Sequence, residues 1–113
     1  MNNQLHLTNM EAEILEILHE LYAGSGFPCA ENIQVISRRN TGAGRYVHLN
    51  SEVTVDLPNG PYDMGGRFIS NDQAKDGMMA VVYIDNKKLK YLEISTYGNV
   101  SWDGNEDKWC FVG

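Results

Sequence analysis

Residues Met78–Val100 read M-M-A-V-V-Y-I-D-N-K-K-L-K-Y-L-E-I-S-T-Y-G-N-V, and the rest of the chain is organised around them. An apolar run meets a polar break at Asp85–Lys88, and a second run ends in Thr96-Tyr97-Gly98, which is the pattern of a β-hairpin. With Asn86-Lys87 as a two-residue loop, Asp85 pairs with Lys88 and Ile84 with Leu89. A four-residue loop keeps Ile84 opposite Leu89. Period-two alternation then places Met79, Val81, Tyr83, Lys90, Leu92 and Ile94 on one face, and Met78, Ala80, Val82, Ile84, Leu89, Tyr91 and Glu93 on the other. Both faces are largely apolar, so the strands are expected to be central in their sheet. A helix would cover one side, and a second layer, a partner or a shallow cleft the other. Glu93, set opposite Ala80 by this register, reads either as a paired carboxylate near a sheet edge or as a buried acid with a raised pKa.

The hairpin needs a layer to cover it, and Thr8-Asn9-Met10-Glu11 begins one. The four residues fit a capping box, with Thr8 as N-cap and Glu11 at N3. The helix is predicted from about Asn9 to about Ala23, with Met10, Ile14, Ile17, Leu18 and Leu21 as its apolar stripe. Gly24 suits the left-handed position that ends it, and Pro28 prevents continuation. Glu13, Glu16 and Glu20 fall on the polar side with His19. Glu16-x-x-His19-Glu20 lacks the H-E-x-x-H order of a zinc helix and reads as a solvated face.

Between helix and hairpin, Ile33–Ile36, Tyr46–Leu49, Glu52–Leu57 and Gly65–Ile69 read as strands, with a turn cluster at Pro58-Asn59-Gly60-Pro61. Arg38-Arg39-Asn40-Thr41-Gly42-Ala43-Gly44-Arg45 sets two glycines among three arginines. Such a loop could cradle an anion, but no P-loop or G-x-G-x-x-G pattern is present, and a glycine turn joining two strands is the commoner meaning. After the hairpin, Asp103-Gly104-Asn105-Glu106-Asp107 imitates the start of a calcium loop. The required sixth-position glycine is Lys108, so the reading is an acidic turn between Trp102 and Trp109. Trp109–Val112 is apolar enough for a last short strand or a docked tail. The fold expected is therefore α+β: one domain over residues 1–113, with an N-terminal helix packed on a mainly antiparallel sheet.

Composition narrows the function. The chain has 113 residues with 42% hydrophobic and 21% charged, ordinary globular values for one core. No apolar run is long enough to span a membrane. The opening Met-Asn-Asn-Gln-Leu-His lacks the basic and apolar regions of a secretory leader, so a cytoplasmic location is expected. In that compartment Cys29 and Cys110 are expected to be reduced, and neither lies in a metal-binding spacing. The net charge of −6 is uneven. Residues 1–37 carry −5, residues 38–90 carry +2 and residues 91–113 carry −3. Acidic ends argue against nucleic-acid binding and favour a basic protein partner.

Three stretches carry a resemblance. Leu7-Thr8-Asn9-Met10-Glu11, Ser37-Arg38-Arg39-Asn40-Thr41-Gly42-Ala43-Gly44-Arg45 and Lys90-Tyr91-Leu92-Glu93-Ile94-Ser95-Thr96-Tyr97-Gly98 resemble a family of small uncharacterised bacterial proteins. Its marks are an L-T-x-x-E helix, an S-R-x-x-T-G-x-G turn and a hairpin reading L-E-[GI]-x-[TS]-Y-G. The chain departs from it at Asn86-Lys87, where Asp-Gly is usual, and at Arg45, where an aromatic residue is commoner. The resemblance brings no catalytic residue with it. In size, acidity and absence of catalytic motifs the chain is also similar to immunity proteins of bacterial toxin systems.

The expectation is a non-enzymatic, cofactor-free binding protein of immunity type that neutralises a basic toxin domain. The alternative is an interaction or regulatory module, dimeric through the apolar hairpin face. The expected partner surface is Glu13, Glu16 and Glu20 on the helix with Trp102, Asp103, Glu106 and Asp107 in the acidic turn. Tryptophan would anchor and the carboxylates would steer.

Overall fold

The computed structural model describes residues 5–98 and 100–113. The first four residues, on which the leader reading partly rests, and Asn99 lie outside them. Helix α1 (Asn9–Leu21) opens with the capping box: Thr8 Oγ1 accepts from the Glu11 amide at 3.2 Å, and Glu11 Oε1 accepts from the Thr8 amide at 2.9 Å. Two orphan amides of the first turn are thereby satisfied. The helix stops earlier than expected. A short 3-10 turn, Ala23–Ser25, follows it, and the left-handed residue is Gly26 (φ 80°), not Gly24.

Seven strands form one sheet among the described residues: β1 (Gln34–Asn40), β2 (Gly44–Asn50), β3 (Gly60–Asp63), β4 (Phe68–Asn71), β5 (Met78–Asp85), β6 (Lys88–Thr96) and β7 (Trp109–Val112). The order is β1-β2-β6-β5-β4-β7, with β3 pairing β5 as well, and every pairing is antiparallel. The expected α+β architecture is therefore observed, and the hairpin strands β5 and β6 are central. Asn86 and Lys87 both have positive φ (55° and 62°), the geometry of a two-residue type I′ loop. Asp85 pairs with Lys88 and Ile84 with Leu89, as the sequence indicated.

Beyond that point the register differs from strict alternation. Tyr83 pairs with Tyr91, leaving Lys90 as the extra residue of a β-bulge. One extra residue moves everything after it to the opposite face. Leu92 and Ile94 thus join Met78, Ala80, Val82, Ile84 and Leu89 on the buried side. Tyr91 and Glu93 turn outward with Met79, Val81 and Tyr83, and Glu93 lies opposite Val81, not Ala80.

The buried face packs beneath α1. Met10, Ile14, Leu15 and Leu18 share one core cluster with Phe27, Val47, Val82, Leu92, Ile94 and Trp102. The helix is rotated slightly from the expected stripe: Leu15 is fully buried, while Leu21 is 51% exposed. The segment 52–57, expected as a strand, is an irregular loop. Its amides are satisfied elsewhere, Val55 N–H on Lys87 O at 2.9 Å and Asp56 N–H on Ser25 O at 2.8 Å. That pins Val55 in the core without a ladder. Gly60 and Pro61, expected within a turn, begin β3 instead. Gly65 and Gly66, expected at the start of a strand, take positive φ in the turn before β4.

Candidate partner-binding surfaces

The side chains of β2 alternate, so Val47 and Leu49 enter the core, and Arg45 points the same way. A buried guanidinium needs partners for its donors, and Arg45 has them. Its Nη1 donates to Glu11 Oε2 at 3.0 Å and to Glu106 Oε2; Nη2 donates to Gly104 O at 2.8 Å, and Nε to Asn40 Oδ1 at 2.9 Å. Its plane lies over the Trp102 ring, 4.9 Å from the centroid, a cation–π contact. Arg38 completes the cluster from β1, donating to both oxygens of Glu11 at 2.6 and 2.8 Å and to His6 O at 2.6 Å. The hydrogen bonds to Glu11 hold the Arg38 pKa above the ordinary arginine value. Glu11 is fully buried, so one carboxylate caps a helix and bridges two arginines.

The quoted motifs meet at this corner. Gly42 takes positive φ (91°) in the turn between β1 and β2. Gly44 lets β2 approach β6 closely, since a Cβ there would stand 2.2 Å from Ile94 O. The glycine turn thus joins two strands, while Arg38 and Arg45, candidates for an anion cradle, are engaged by Glu11.

The acidic residues divide by what they touch. Glu13 and Glu20 are exposed on α1. Glu16 is half-buried, and its carboxylate accepts the Ala30 amide at 2.6 Å. Asp103 and Asp107 are exposed. Asp103 Oδ1 accepts from the Asn105 amide at 2.9 Å and from Gln73 Nε2 at 3.0 Å. Glu106 is largely committed to Arg45. Trp102 requires a correction. It is fully buried, its indole N–H donates to Asn105 O at 2.9 Å, and Arg45 covers its ring. It pins the acidic turn to the core and has no face left for a partner. The acidic turn and the first turn of α1 are brought together, because Glu11 and Glu106 share Arg45.

Sequence reasoning offered an apolar hairpin face as a dimer contact but did not bring the tyrosines together on the outer face of the sheet. Tyr83 and Tyr91 stack there with ring centroids 5.5 Å apart and planes 5° apart. Tyr46 meets Tyr91 edge-on at 5.7 Å, and the Arg39 guanidinium lies 5.5 Å from the Tyr46 centroid. Glu93, opposite Tyr46, raises the Tyr46 hydroxyl pKa above the ordinary tyrosine value by placing a negative charge beside it. The Lys90 bulge was the missing signal; without it Tyr91 and Glu93 alternate to the wrong side.

Among the described residues no group of three or more His, Cys, Asp or Glu is placed to hold a metal ion. Cys29 and Cys110 are unpaired. Among the described residues no helix is long and apolar enough to cross a membrane. Comparison with protein-family models, with curated proteins and with solved structures gives no match for this chain.

Proposed function

We propose that this chain is a binding protein of immunity type, which neutralises a cationic toxin or effector domain through the carboxylates on its helix side. The observation that carries this reading is the Arg45 clamp. By holding Glu11 and Glu106 together, it fixes the acidic turn against the start of α1. Glu13, Glu20, Asp103 and Asp107 are then presented to solvent on two anchored elements. Carboxylates carried on anchored elements attract a basic partner over several ångströms and need little ordering on contact. The uneven charge of the chain supports the same reading, since both acidic ends contribute to this side.

The test is affinity capture of the partner from native cells, followed by co-expression of the two. The proposal expects a partner with a basic contact surface that is harmful alone and harmless when this chain is present. A partner that binds equally well after lysine replaces Glu13, Glu20 and Asp107 would overturn the surface. A partner whose expression is innocuous would overturn the neutralising role.

A further inference from the structure

The outer face of the sheet has its own chemistry, independent of the acidic helix side. The molecule is 19 Å across in its thinnest direction. That is room for a helix layer and a sheet, at the spacing of about 10 Å between packed layers, and for no third layer. The core cluster lies entirely on the helix side, leaving the tyrosines outside it. The pairings align a row across five strands: Arg39, Tyr46, Glu93, Val81 and Asp63 on β1, β2, β6, β5 and β3. A cation stands at one end of that row and an anion at the other, and both are exposed. The adjoining row holds His48, Tyr91 and Tyr83.

We propose that this face is the contact between two copies of the chain, docked sheet on sheet about a two-fold axis running along β6. A rotation about that axis exchanges the ends of the row. Arg39 of each copy then lies over Asp63 of the other, with the tyrosines packed between, so the patch is complementary to itself as a closed dimer requires. Two antiparallel sheets pack in this way with their strands about 30° apart. The strands of the row, β1, β2, β6, β5 and β3, are 7, 7, 9, 8 and 4 residues long and about 4.8 Å apart, and they present roughly 550 Å² of projected face. Side-chain relief raises the accessible area, so the face approaches the roughly 800 Å² per partner of a standard interface. Tyrosines supply contact area at low entropic cost. The same axis brings the two Glu93 carboxylates toward each other, an unfavourable element that makes the arrangement diagnosable. The acidic helix sides remain outward, so each dimer would present two of them.

Sedimentation equilibrium from micromolar to millimolar chain concentration tests the proposal. A monomer–dimer equilibrium is expected. Arg39→Asp and Asp63→Arg should each raise the dimer Kd by about tenfold or more, and the double exchange should restore it. Glu93→Gln should tighten the dimer. Melting curves confirm that each variant is folded; should Asp63→Arg disturb the turn in which Asp63 Oδ1 accepts the Gly65 amide, Asp63→Asn keeps that bond and removes the charge. A chain that stays monomeric throughout overturns the proposal. So does a dimer indifferent to Arg39→Asp, or one that the double exchange fails to restore.

Discussion

Glu11 in the first turn of α1 and Arg45 on β2 are joined by an ion pair at 3.0 Å, both essentially buried. Arg45 also reaches Glu106, so this contact holds the helix start, the sheet and the acidic turn as one unit. A buried ion pair is weak evidence of net stability, but removing one partner strands the other charges in a poorly solvated site. Glu11→Ala should therefore destabilise the fold by about 3–5 kcal/mol. Loss of the bond from the Thr8 amide to the Glu11 carboxylate, half of the capping box, adds to this in the same direction. Urea denaturation of wild type and variant checks it; an unchanged midpoint would remove the cluster from the framework.

The bulge makes a second prediction. Leu92 is fully buried and Tyr91 is on the outer face. Leu92→Ala should cost about 2–5 kcal/mol, the usual range for truncating a buried leucine. Tyr91→Ala should cost distinctly less in the same denaturation experiment.

The hairpin loop carries a third. Lys87 has φ 62°, a left-handed conformation that costs a side-chain-bearing residue roughly 1 kcal/mol relative to glycine. Its ion pair with Asp56 is exposed on both sides and offsets little of that. Lys87→Gly should raise the melting temperature.

A fourth concerns alkaline pH. The folded-state pKa of Tyr46 is raised by Glu93, so the folded chain retains this proton longer than the unfolded chain does. The associated stability is complete below about pH 10 and is lost as pH rises through the raised value. Phenolate absorbance should show Tyr46 titrating late, together with Tyr22, whose hydroxyl pKa burial also raises. Glu93→Gln should move the Tyr46 contribution downward and leave that of Tyr22, and Tyr46→Phe should remove one of the two late contributions.

How much of this was legible in the sequence follows from locality. The capping box and the Ile84–Leu89 register are set by residues a few positions apart, and both were readable. The Lys90 bulge depends on which residues the sheet can bury, and no local residue announces it. The Glu52–Leu57 alternation looked like a strand, but Lys87 and Ser25 take its Val55 and Asp56 amides, and those partners lie in distant segments. The acidic residues were found, but their employment was not. Glu16 caps a distant turn and Glu106 binds an arginine 61 positions away, so neither exposure nor burial could be read from periodicity. Trp102 looked like an interface anchor because a tryptophan beside acids has that composition. The guanidinium above it comes from β2.

Whether the exposed carboxylates steer a basic partner is decided by the association rate of the captured partner as a function of salt. It is compared for the wild-type chain and a variant with Glu13, Glu20 and Asp107 replaced by lysine. All three side chains are exposed and outside the Arg45 cluster, so the melting temperature should hold. Steering by these carboxylates predicts an association rate for the variant at least about tenfold slower at low salt, with its dependence on ionic strength flattened or reversed. An unchanged rate with an unchanged salt dependence would contradict it.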